Sequence, residues 1–516
     1  MMHGRSSSAL VTLGVVLCLQ GCGRLGYGSD AGGALDGSPP VVDGEVDSGA
    51  SMSDGGDIDA GTFTDGGVDA DGGSPECMEG VACVVLPGLC LGGTTACVGG
   101  VADCAVGDPL AAGTTCGSGT CDLGGICELE SGTIVTASTS LALSVGISLA
   151  TDGATIAAGA WNPYNLSATG AVVVFERVGG AGWRETAFLE ASDATSNDGF
   201  GASIAIQGDT LLVGARRRRN GARYAGAIYV FERIGGTWTE IQIIEPPNVE
   251  AVNFGSAVAI DGTRAVATAH LGMIGGGWGS GYILERNTDA TWSIVATMTS
   301  PGADSLGWSA DIDGDRVVLG SLWTTDTSGM SASDGAVHVF ERAAADSWVE
   351  TATLFPPTPS APAGFYASGS TVALEGDRIA MGDTLAEVTD RSNGAIVIWE
   401  LIGGTWSPVQ TLTDVVINRD ASFGRSIILN GDELVSSAVD YDMCNLRVTT
   451  FHRVDGTWLP VRVNHTPAAV GCSDGQAVEG HYIDIDIVRA GSEILIGYPL
   501  ASGLTGGGGL VVTAAE

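Results

Sequence analysis

The stretch Phe200-Gly201-Ala202-Ser203-Ile204-Ala205-Ile206-Gln207-Gly208-Asp209 decides the fold, because the chain repeats it. Ile204 and Ile206 alternate with the small residues Ser203 and Ala205, and a period of two is typical of a β-strand. Gly208 then starts a tight hairpin turn. The same turn glycine recurs seven times, and it defines repeat units 1 to 7: Gly153, Gly208, Gly262, Gly314, Gly376, Gly431 and Gly491.

Each unit predicts four strands. In unit 2 the hairpin is followed by Leu211-Leu212-Val213-Gly214-Ala215, by a segment that ends in Phe231-Glu232-Arg233, and by a segment that opens at Trp238. This last position holds a tryptophan in six units: Trp183, Trp238, Trp292, Trp348, Trp406 and Trp458. A four-stranded unit that recurs in this way is typical of a β-propeller. The predicted fold is therefore all-β, a seven-bladed β-propeller of four-stranded blades over residues 128–516.

Closure of the ring can be examined from the same repeat. Unit 7 lacks the fourth strand and its tryptophan, and the segment 132–137 before unit 1 has strand composition. We expect that segment to supply the missing outer strand, because the pairing removes an open sheet edge.

The repeat resembles the FG-GAP repeats of the integrin alpha-chain propeller and their bacterial relatives. The first half of that motif is present at Phe200-Gly201, Phe254-Gly255 and Phe423-Gly424, and the second half at Gly159-Ala160 and Gly214-Ala215. The resemblance implies a seven-bladed propeller that recognises extracellular ligands. Integrin-type blades also bind calcium in an Asp-rich insertion, whereas only Asp311-Ile312-Asp313-Gly314-Asp315 has that composition here. No metal site is therefore expected.

The composition excludes several functions. The 516 residues include 80 glycines, and 22 basic against 60 acidic residues give a net charge of −38. All the basic residues are arginines, so no phosphate-loop or Schiff-base lysine exists. A nucleic-acid partner would require a basic footprint, which this balance opposes.

The amino-terminal part is predicted to contain a targeting signal followed by a spacer. Residues 1–21 contain an 11-residue apolar run, too short to span a bilayer and typical of a signal peptide. Leu19-Gln20-Gly21-Cys22 resembles the bacterial lipobox, which implies lipidation of Cys22 and, with Gly23 next, anchoring in the outer membrane. Residues 22–76 are acidic and glycine-rich, and we expect a disordered tether.

Ten cysteines are predicted to form disulfides. Eight lie in a module at 77–127, which in a secreted chain favours four disulfides over zinc: Cys77, Cys83, Cys90, Cys97, Cys104, Cys116, Cys121 and Cys127. Their pairing stays open, because eight cysteines allow 105 arrangements. Cys444 and Cys472 lie in adjacent units on the same face of the ring, and we expect an inter-blade disulfide between them.

Candidate binding residues lie in the loops between strands two and three of each unit. The basic ones are Arg216, Arg217, Arg218, Arg219 and Arg223, and the aromatic ones are Trp161, Tyr224, Trp278, Trp323 and Tyr441. Arginine favours an acidic partner, and aromatic faces suit sugar rings. Solvated charges and scattered surface aromatics are the alternative.

We expect a lipid-anchored, monomeric cell-surface protein that binds a glycan or a surface protein, without catalysis or a cofactor. The sequence shows no nucleophile and base around its histidines. One alternative is a secreted carbohydrate-active enzyme that uses Asp484 and Asp486 in the axial channel. A purely structural envelope protein is the other alternative.

Overall fold

The computed structural model describes 21 segments of the chain, which are 82–84, 91–98, 101–109, 115–116, 119–121, 127–130, 133–136, 145–161, 167–178, 181–221, 223–248, 250–324, 335–344, 347–357, 368–386, 394–413, 422–440, 445–465, 486–491, 493–498 and 509–514. The predicted signal peptide, Cys22 and the tether lie outside them. So do Cys77, Cys90, Cys444 and Cys472. In the described part of the chain, no helix is long and apolar enough to cross a membrane.

The strands of the repeats belong to one compact region, which comprises 82–94 and 104–516. Seven strands precede the repeats: β1 (Ala82–Val84), β2 (Leu91–Val98), β3 (Val101–Pro109), β4 (Thr115–Cys116), β5 (Gly119–Cys121), β6 (Cys127–Glu130) and β7 (Thr133–Thr136). Strand β1 pairs antiparallel with β2. The antiparallel register of β5 and β6 places Cys121 opposite Cys127.

Units 1 to 4 each form an antiparallel four-stranded sheet in sequence order. Unit 1 comprises β8 (Val145–Thr151), β9 (Thr155–Ala160), β10 (Val172–Val178) and β11 (Ala181–Leu189). Unit 2 comprises β12 (Phe200–Gln207), β13 (Thr210–Ala215), β16 (Ile228–Ile234) and β17 (Thr237–Ile244), with a side hairpin of β14 (Arg219–Asn220) and β15 (Arg223–Tyr224). Unit 3 comprises β18 (Val252–Asp261), β19 (Arg264–Ile274), β20 (Gly277–Arg286) and β21 (Trp292–Met298). Unit 4 comprises β23 (Ala310–Asp313), β24 (Arg316–Ser321), β26 (Ala336–Ala344) and β27 (Ser347–Leu354), with β22 (Ala303–Asp304) and β25 (Trp323–Thr324) paired beside it.

The remaining units follow the same order. Unit 5 comprises β28 (Ser368–Glu375), β29 (Arg378–Asp383), β30 (Ala395–Ile402) and β31 (Thr405–Leu412). Unit 6 comprises β32 (Ile427–Asn430), β33 (Glu433–Asp440), β34 (Asn445–Val454) and β35 (Thr457–His465). Unit 7 comprises β36 (Ile487–Ala490), β37 (Glu493–Tyr498) and β38 (Gly509–Ala514). Strand β7 lies within the segment expected to close the ring, and it pairs antiparallel with β38.

The fold is an all-β propeller with four-stranded blades, but the prediction of seven such sheets needs a correction. The described residues form six four-stranded blades, and unit 6 belongs instead to a seven-stranded sheet. The reason is an added edge: β6 pairs in parallel with the outer strand β35, and β5 and β4 follow it. The end of the cysteine-rich segment thereby covers an edge that would otherwise stay unpaired.

The hydrophobic core lies between successive sheets. In unit 2, β13 is buried along its whole length, which agrees with its apolar sequence. Phe200 packs edge-to-face on Tyr229, with 5.2 Å between the ring centroids. The tryptophans that open the outer strands are buried in five units, at Trp183, Trp238, Trp292, Trp348 and Trp458. Each sheet therefore buries both faces against its neighbours.

Glycine pairs join the second strand of one unit to the innermost strand of the next unit. A Cβ on Gly214 would lie less than 3 Å from the carbonyl oxygen of Gly255 and from Ser203 Oγ. Ser203 Oγ donates to that same carbonyl at 2.9 Å. Equivalent joints are Gly159 with Gly201, Gly320 with Gly369, Gly382 with Gly424 and, between units 7 and 1, Gly497 with Gly146. The motif glycines are thus required by backbone contact between units, and the contact continues from the last unit to the first.

Candidate functional site

The two ends of the ring carry different chemistry. In every antiparallel sheet, the turns that join strands one to two and three to four lie at one end, which we call the hairpin face. The loops between strands two and three and the connections between units lie at the other end, which we call the loop face. Isolated bridges such as Gly170 to Phe200 link these loops to the next unit.

Arginines on the hairpin face join neighbouring units through ion pairs. The arginine near the end of the third strand reaches a glutamate of the preceding unit at five joints: Arg233 with Glu176 (2.8 Å), Arg286 with Glu232 (2.8 Å), Arg342 with Glu285 (3.6 Å), Arg453 with Glu400 (2.6 Å) and Arg177 of unit 1 with Glu493 of unit 7 (2.5 Å). We call this set the arginine ladder. Because these side chains pair within the ring, they are poor candidates for binding a ligand.

The axial channel encloses a cavity of about 790 Å³, lined by the innermost strands of all seven units. Two carboxylates of the described residues line it. Asp486 accepts the backbone N–H of Leu149 at 2.7 Å and the hydroxyl of Ser426 at 2.8 Å. Asp311 accepts the N–H of Leu374 at 2.8 Å. Each carboxylate thus binds the innermost strand of the following unit, a structural use that the sequence did not predict.

Burial raises the pKa of Asp311 to about 6, although the N–H groups of Leu374 and Ile312 act in the opposite direction. The other two carboxylates of its segment are engaged elsewhere: Asp313 accepts the N–H of Gly376 at 2.6 Å, and Asp315 pairs with Arg264 at 2.7 Å. Among the described residues, no group of three His, Cys, Asp or Glu side chains could hold a metal ion. Asp484, the other member of the channel pair, lies outside the described residues.

Three successive units place Trp161, Arg216 and His270 at one equivalent position, eight residues after the hairpin glycine. The guanidinium carbon of Arg216 lies 4.7 Å from the centroid of the Trp161 ring, and that of Arg217 lies 5.2 Å from it. Trp161 itself is 1% exposed, and a Cβ on Gly199 would lie 3.3 Å from its indole. The prediction that Trp161 is a ligand-contacting aromatic is therefore wrong, because the side chain is a buried platform beneath two arginines.

Arg218 was also predicted to bind a ligand, but it already forms ion pairs within unit 2. Its guanidinium pairs with Asp193 at 2.8 Å and with Glu245 at 2.7 Å. The Tyr229 hydroxyl donates to the same Asp193 at 2.5 Å. Both carboxylates lie outside the loop that suggested a basic cluster. Arg218 therefore stabilises unit 2 and is already neutralised.

Arg217 and Arg219 have a different environment. Arg217 donates to the amide oxygen of Asn197 at 3.0 Å, and Arg219 donates to the Tyr224 hydroxyl at 2.7 Å while lying 4.6 Å from the ring centroid. Neither forms an ion pair with a carboxylate of the described residues. Burial lowers the pKa of Arg217, which shows that its charge is partly removed from water without full compensation.

The side hairpin presents these groups on the loop face. Its register places Arg219 opposite Tyr224 and Asn220 opposite Arg223, with Gly221 at positive φ in the turn. Arg219 and Arg223 are exposed, while Arg216, Arg217 and Tyr224 are half-buried. Strand β15 of this hairpin contacts β18 of unit 3. The arginines of unit 2 therefore lie next to the loop-face end of unit 3.

Unit 3 adds exposed apolar side chains there. Strands β19 and β20 extend beyond the sheet, and their register places Met273 opposite Trp278. These side chains are 59% and 45% exposed. In unit 4, Trp323 is also exposed, opposite Asp304. Trp278 and Trp323 thus lie on the exposed loop face, as the sequence predicted, whereas Tyr441 lies outside the described residues.

His270 is held at the channel mouth. Its Nδ1 lies 2.6 Å from Ser256 Oγ, and its ring contacts Trp308 at a centroid distance of 5.0 Å. Ser256 and Trp308 both line the axial cavity. Burial, followed by the charge of Arg216, lowers the pKa of His270 to about 3. The ring is therefore neutral at physiological pH and packs as the sequence suggested.

His338 belongs to a relay that the sequence interpretation missed. Its Nε2 lies 3.0 Å from Ser321 Oγ, and its Nδ1 lies 2.7 Å from Glu350 Oε1. The order Ser, His, Glu is that of a nucleophile, base and orienting acid. Ser321 is fully buried, however, and its Oγ also lies 2.5 Å from Thr324 Oγ1. The expectation that the histidines have no nucleophile and base arrangement is therefore wrong in its geometry. The burial of Ser321, however, prevents a substrate from reaching its hydroxyl.

A comparison with known protein families supports the repeat. Residues 183–231 match the FG-GAP repeat. No curated protein matches the chain.

Solved structures resemble it at low identity. They include a protein from Lactobacillus plantarum (13% identity, 64% of this chain and 85% of that chain, TM-score 0.42). A periplasmic gluconolactonase from Pseudomonas aeruginosa has 15% identity, covers 67% of this chain and 92% of its own, and has a TM-score of 0.39. The β-propeller domain of the Trilobed protease from Pyrococcus furiosus has 11% identity, 72% and 96% coverage, and a TM-score of 0.41. At such identities and TM-scores, these likenesses carry no argument about activity.

Proposed function

We propose that this protein is a non-catalytic recognition protein that binds a ligand on the loop face of a seven-bladed ring. In this proposal the seven-stranded sheet counts as the sixth blade. The sequential contacts of the innermost strands, which end with β36 against β8, support that count. Lipidation of Cys22 anchors the chain in the bacterial outer membrane, and the tether displays the propeller at the cell surface. The protein acts as a monomer, and its partner is a glycan or a surface protein.

The observation that carries the proposal is the exposed apolar surface at the loop-face end of unit 3. Met273 and Trp278 lie opposite each other on strands that extend past the sheet, so they contribute little to the core. Adjacent exposed apolar groups rimmed by charge are typical of interaction sites. The ladder arginines of the opposite face, by contrast, are paired with carboxylates within the ring.

The test is a glycan and surface-protein array probed with the full mature chain. We expect one or more specific signals that fall at least tenfold when Met273 and Trp278 are both replaced by Ala. Ile234 and Ile402 provide the matched control, because they are 60% and 56% exposed on the hairpin face. Ile234→Ala with Ile402→Ala should leave binding unchanged. Equal loss in both double variants would remove the loop face from the account.

Hydrolysis is a second candidate, favoured by the Ser321–His338–Glu350 geometry alone. The buried Ser321 hydroxyl and its short contact to Thr324 argue that this relay is a structural element of unit 4. We therefore keep recognition as the proposed function.

A further inference from the structure

We propose that the ligand of the loop face is an acidic saccharide, whose carboxylates bind Arg217 and Arg219. This inference rests on the proposed function and names its ligand class. The carrying observation is that these two guanidinium groups lack a carboxylate partner in the described residues, in a chain of net charge −38. Elsewhere in the same unit, Arg218 and Arg233 each contact two carboxylates.

The charge of Arg217 is incompletely compensated by the described residues around it. Its guanidinium lies against the Trp161 ring and donates to a neutral amide, so the partners that the described residues provide for its charge are dipoles and a π face. The pKa of Arg217 is lowered by burial, which means that the cation costs free energy in the unliganded protein. An anion at this point removes that cost, because a nearby opposite charge favours the charged form. Binding an anion is therefore more favourable here than at a fully solvated arginine.

The planar geometry selects a carboxylate. Arg219 is held against the Tyr224 ring by its hydrogen bond to the hydroxyl, which leaves its other N–H groups as in-plane donors for a ligand. A preorganised guanidinium loses less side-chain entropy when it binds a planar two-oxygen acceptor. The buried Trp161 ring, 5.2 Å from the guanidinium carbon of Arg217, likewise restricts the positions that this group can adopt.

The adjacent surface favours a sugar ring over a peptide. Strand β15, which carries Tyr224, contacts β18, and β18 pairs with β19 through Val252 and Leu271. The exposed Met273 and Trp278 lie on the same β19–β20 extension. An indole face beside arginines can contact the C–H face of a pyranose while its carboxylate reaches a guanidinium. A uronic acid polymer provides this combination in every residue.

The negative charge of the protein favours a ligand whose own negative charges are widely spaced. A densely charged polyanion would be repelled by the carboxylates that surround this patch, such as Asp193 and Glu245, although both pair with Arg218. One carboxylate per sugar ring keeps the charges apart and needs only a local cationic patch. Screening by salt should therefore weaken binding strongly, because both arginines are at or near the surface.

The experiment measures the affinity of the full mature chain for polygalacturonate by titration calorimetry. Neutral galactan, dextran sulfate and poly-glutamate are the comparison ligands. We expect polygalacturonate to bind best, with an affinity that falls at least tenfold between about 0.05 and 0.5 M salt. Arg217→Gln and Arg219→Gln should each raise Kd about tenfold or more, as expected for a hydrogen bond to a charged group. Arg184→Gln is the matched control, because Arg184 is exposed on β11, away from the loop, and it should leave Kd unchanged.

Several results would overturn the inference. If Arg217→Gln and Arg219→Gln both bind polygalacturonate like the wild type, the arginines have no part in recognition. Equal or better binding of poly-glutamate points to an acidic protein partner, and equal binding of galactan removes the charge requirement. If no acidic saccharide binds while the array signal persists and still depends on Trp278, the inference fails and the proposed function survives. Absence of every array signal refutes the proposed function itself.

Discussion

The replacement of Gly214 by alanine tests why the repeat contains its second glycine. The added Cβ would lie less than 3 Å from both the Gly255 carbonyl oxygen and Ser203 Oγ. Neither atom is the mobile end of a flexible side chain, since one is backbone and the other is fixed by its 2.9 Å bond to that carbonyl. Strand β13 of unit 2 and the innermost strand β18 of unit 3 must therefore separate.

The size of the effect follows from these contacts. Overpacking in a well-packed region costs about 1–3 kcal/mol. Losing the Ser203 hydrogen bond adds about 1 kcal/mol. The reduced entropy of the unfolded chain returns about 0.4–1 kcal/mol. We expect Gly214→Ala to lower the free energy of unfolding by about 1–3.5 kcal/mol, measured by urea denaturation with tryptophan fluorescence.

Gly208 provides the matched control within the same unit. It has positive φ in the hairpin, and a Cβ there would meet nothing within 4 Å. Asparagine tolerates that conformation, so Gly208→Asn should change the stability by about 0.5 kcal/mol or less. Adding Ser203→Ala to Gly214→Ala should cost less than the sum of the single changes, because one of the two clashes disappears. If Gly214→Ala were as stable as Gly208→Asn, the glycine joint would not explain the motif.

Three further predictions concern groups outside the joint. The folded-state pKa of Asp311 is about 6 against an ordinary 3.8, so the free energy of unfolding falls as the pH rises from about 4 through 6, by at most about 3 kcal/mol. Asp311→Asn should lack this fall in urea unfolding across that range, and a pH-independent difference between variant and wild type would contradict the burial argument. A fluorophosphonate probe should leave Ser321 unlabelled in intact-mass analysis, because its hydroxyl is buried; an adduct that His338→Gln abolishes would instead establish a hydrolase. Mass spectrometry of the mature amino terminus should show a diacylglyceryl group on Cys22, whereas a free Gly23 or an intact Met1 would end the anchoring proposal.

The sequence predicted the strands and their order well, because backbone contacts fix the repeated positions. Gly214 must lack a side chain where the next innermost strand passes, and this requirement recurs with the same spacing at five of the seven joints; Thr268 and Ser437 occupy the position in the other two units. The extension of unit 6 had no comparable signal. Strand β6 pairs in parallel with β35 across a sequence separation of more than 300 residues, and neither segment belongs to a repeated pair. Pairing that occurs once leaves no periodic trace in a single sequence.

The candidate site was predicted less completely, because a run of arginines does not reveal which of them is already paired. The partners of Arg218 are Asp193, which lies in the connection before unit 2, and Glu245, which lies after β17. The relay at His338 could have been found from the repeat itself. The register places His338 opposite Leu319, two residues before Ser321, and opposite Thr353, three residues after Glu350. Reading neighbouring strands against one another would therefore have brought the three side chains together.

The ion pairs of the hairpin face explain why arginine is used there in place of lysine. Arg264 contacts Glu285 of its own unit and both Asp315 and the Gly314 carbonyl of the next unit. One planar guanidinium can satisfy these acceptors at once, whereas a lysine ammonium is a compact point charge without this fork geometry. Such ring joints require arginine wherever one cation must link two units. The same planar group, held against an aromatic ring and without a carboxylate partner among the described residues, makes Arg217 suitable for binding a ligand on the opposite face.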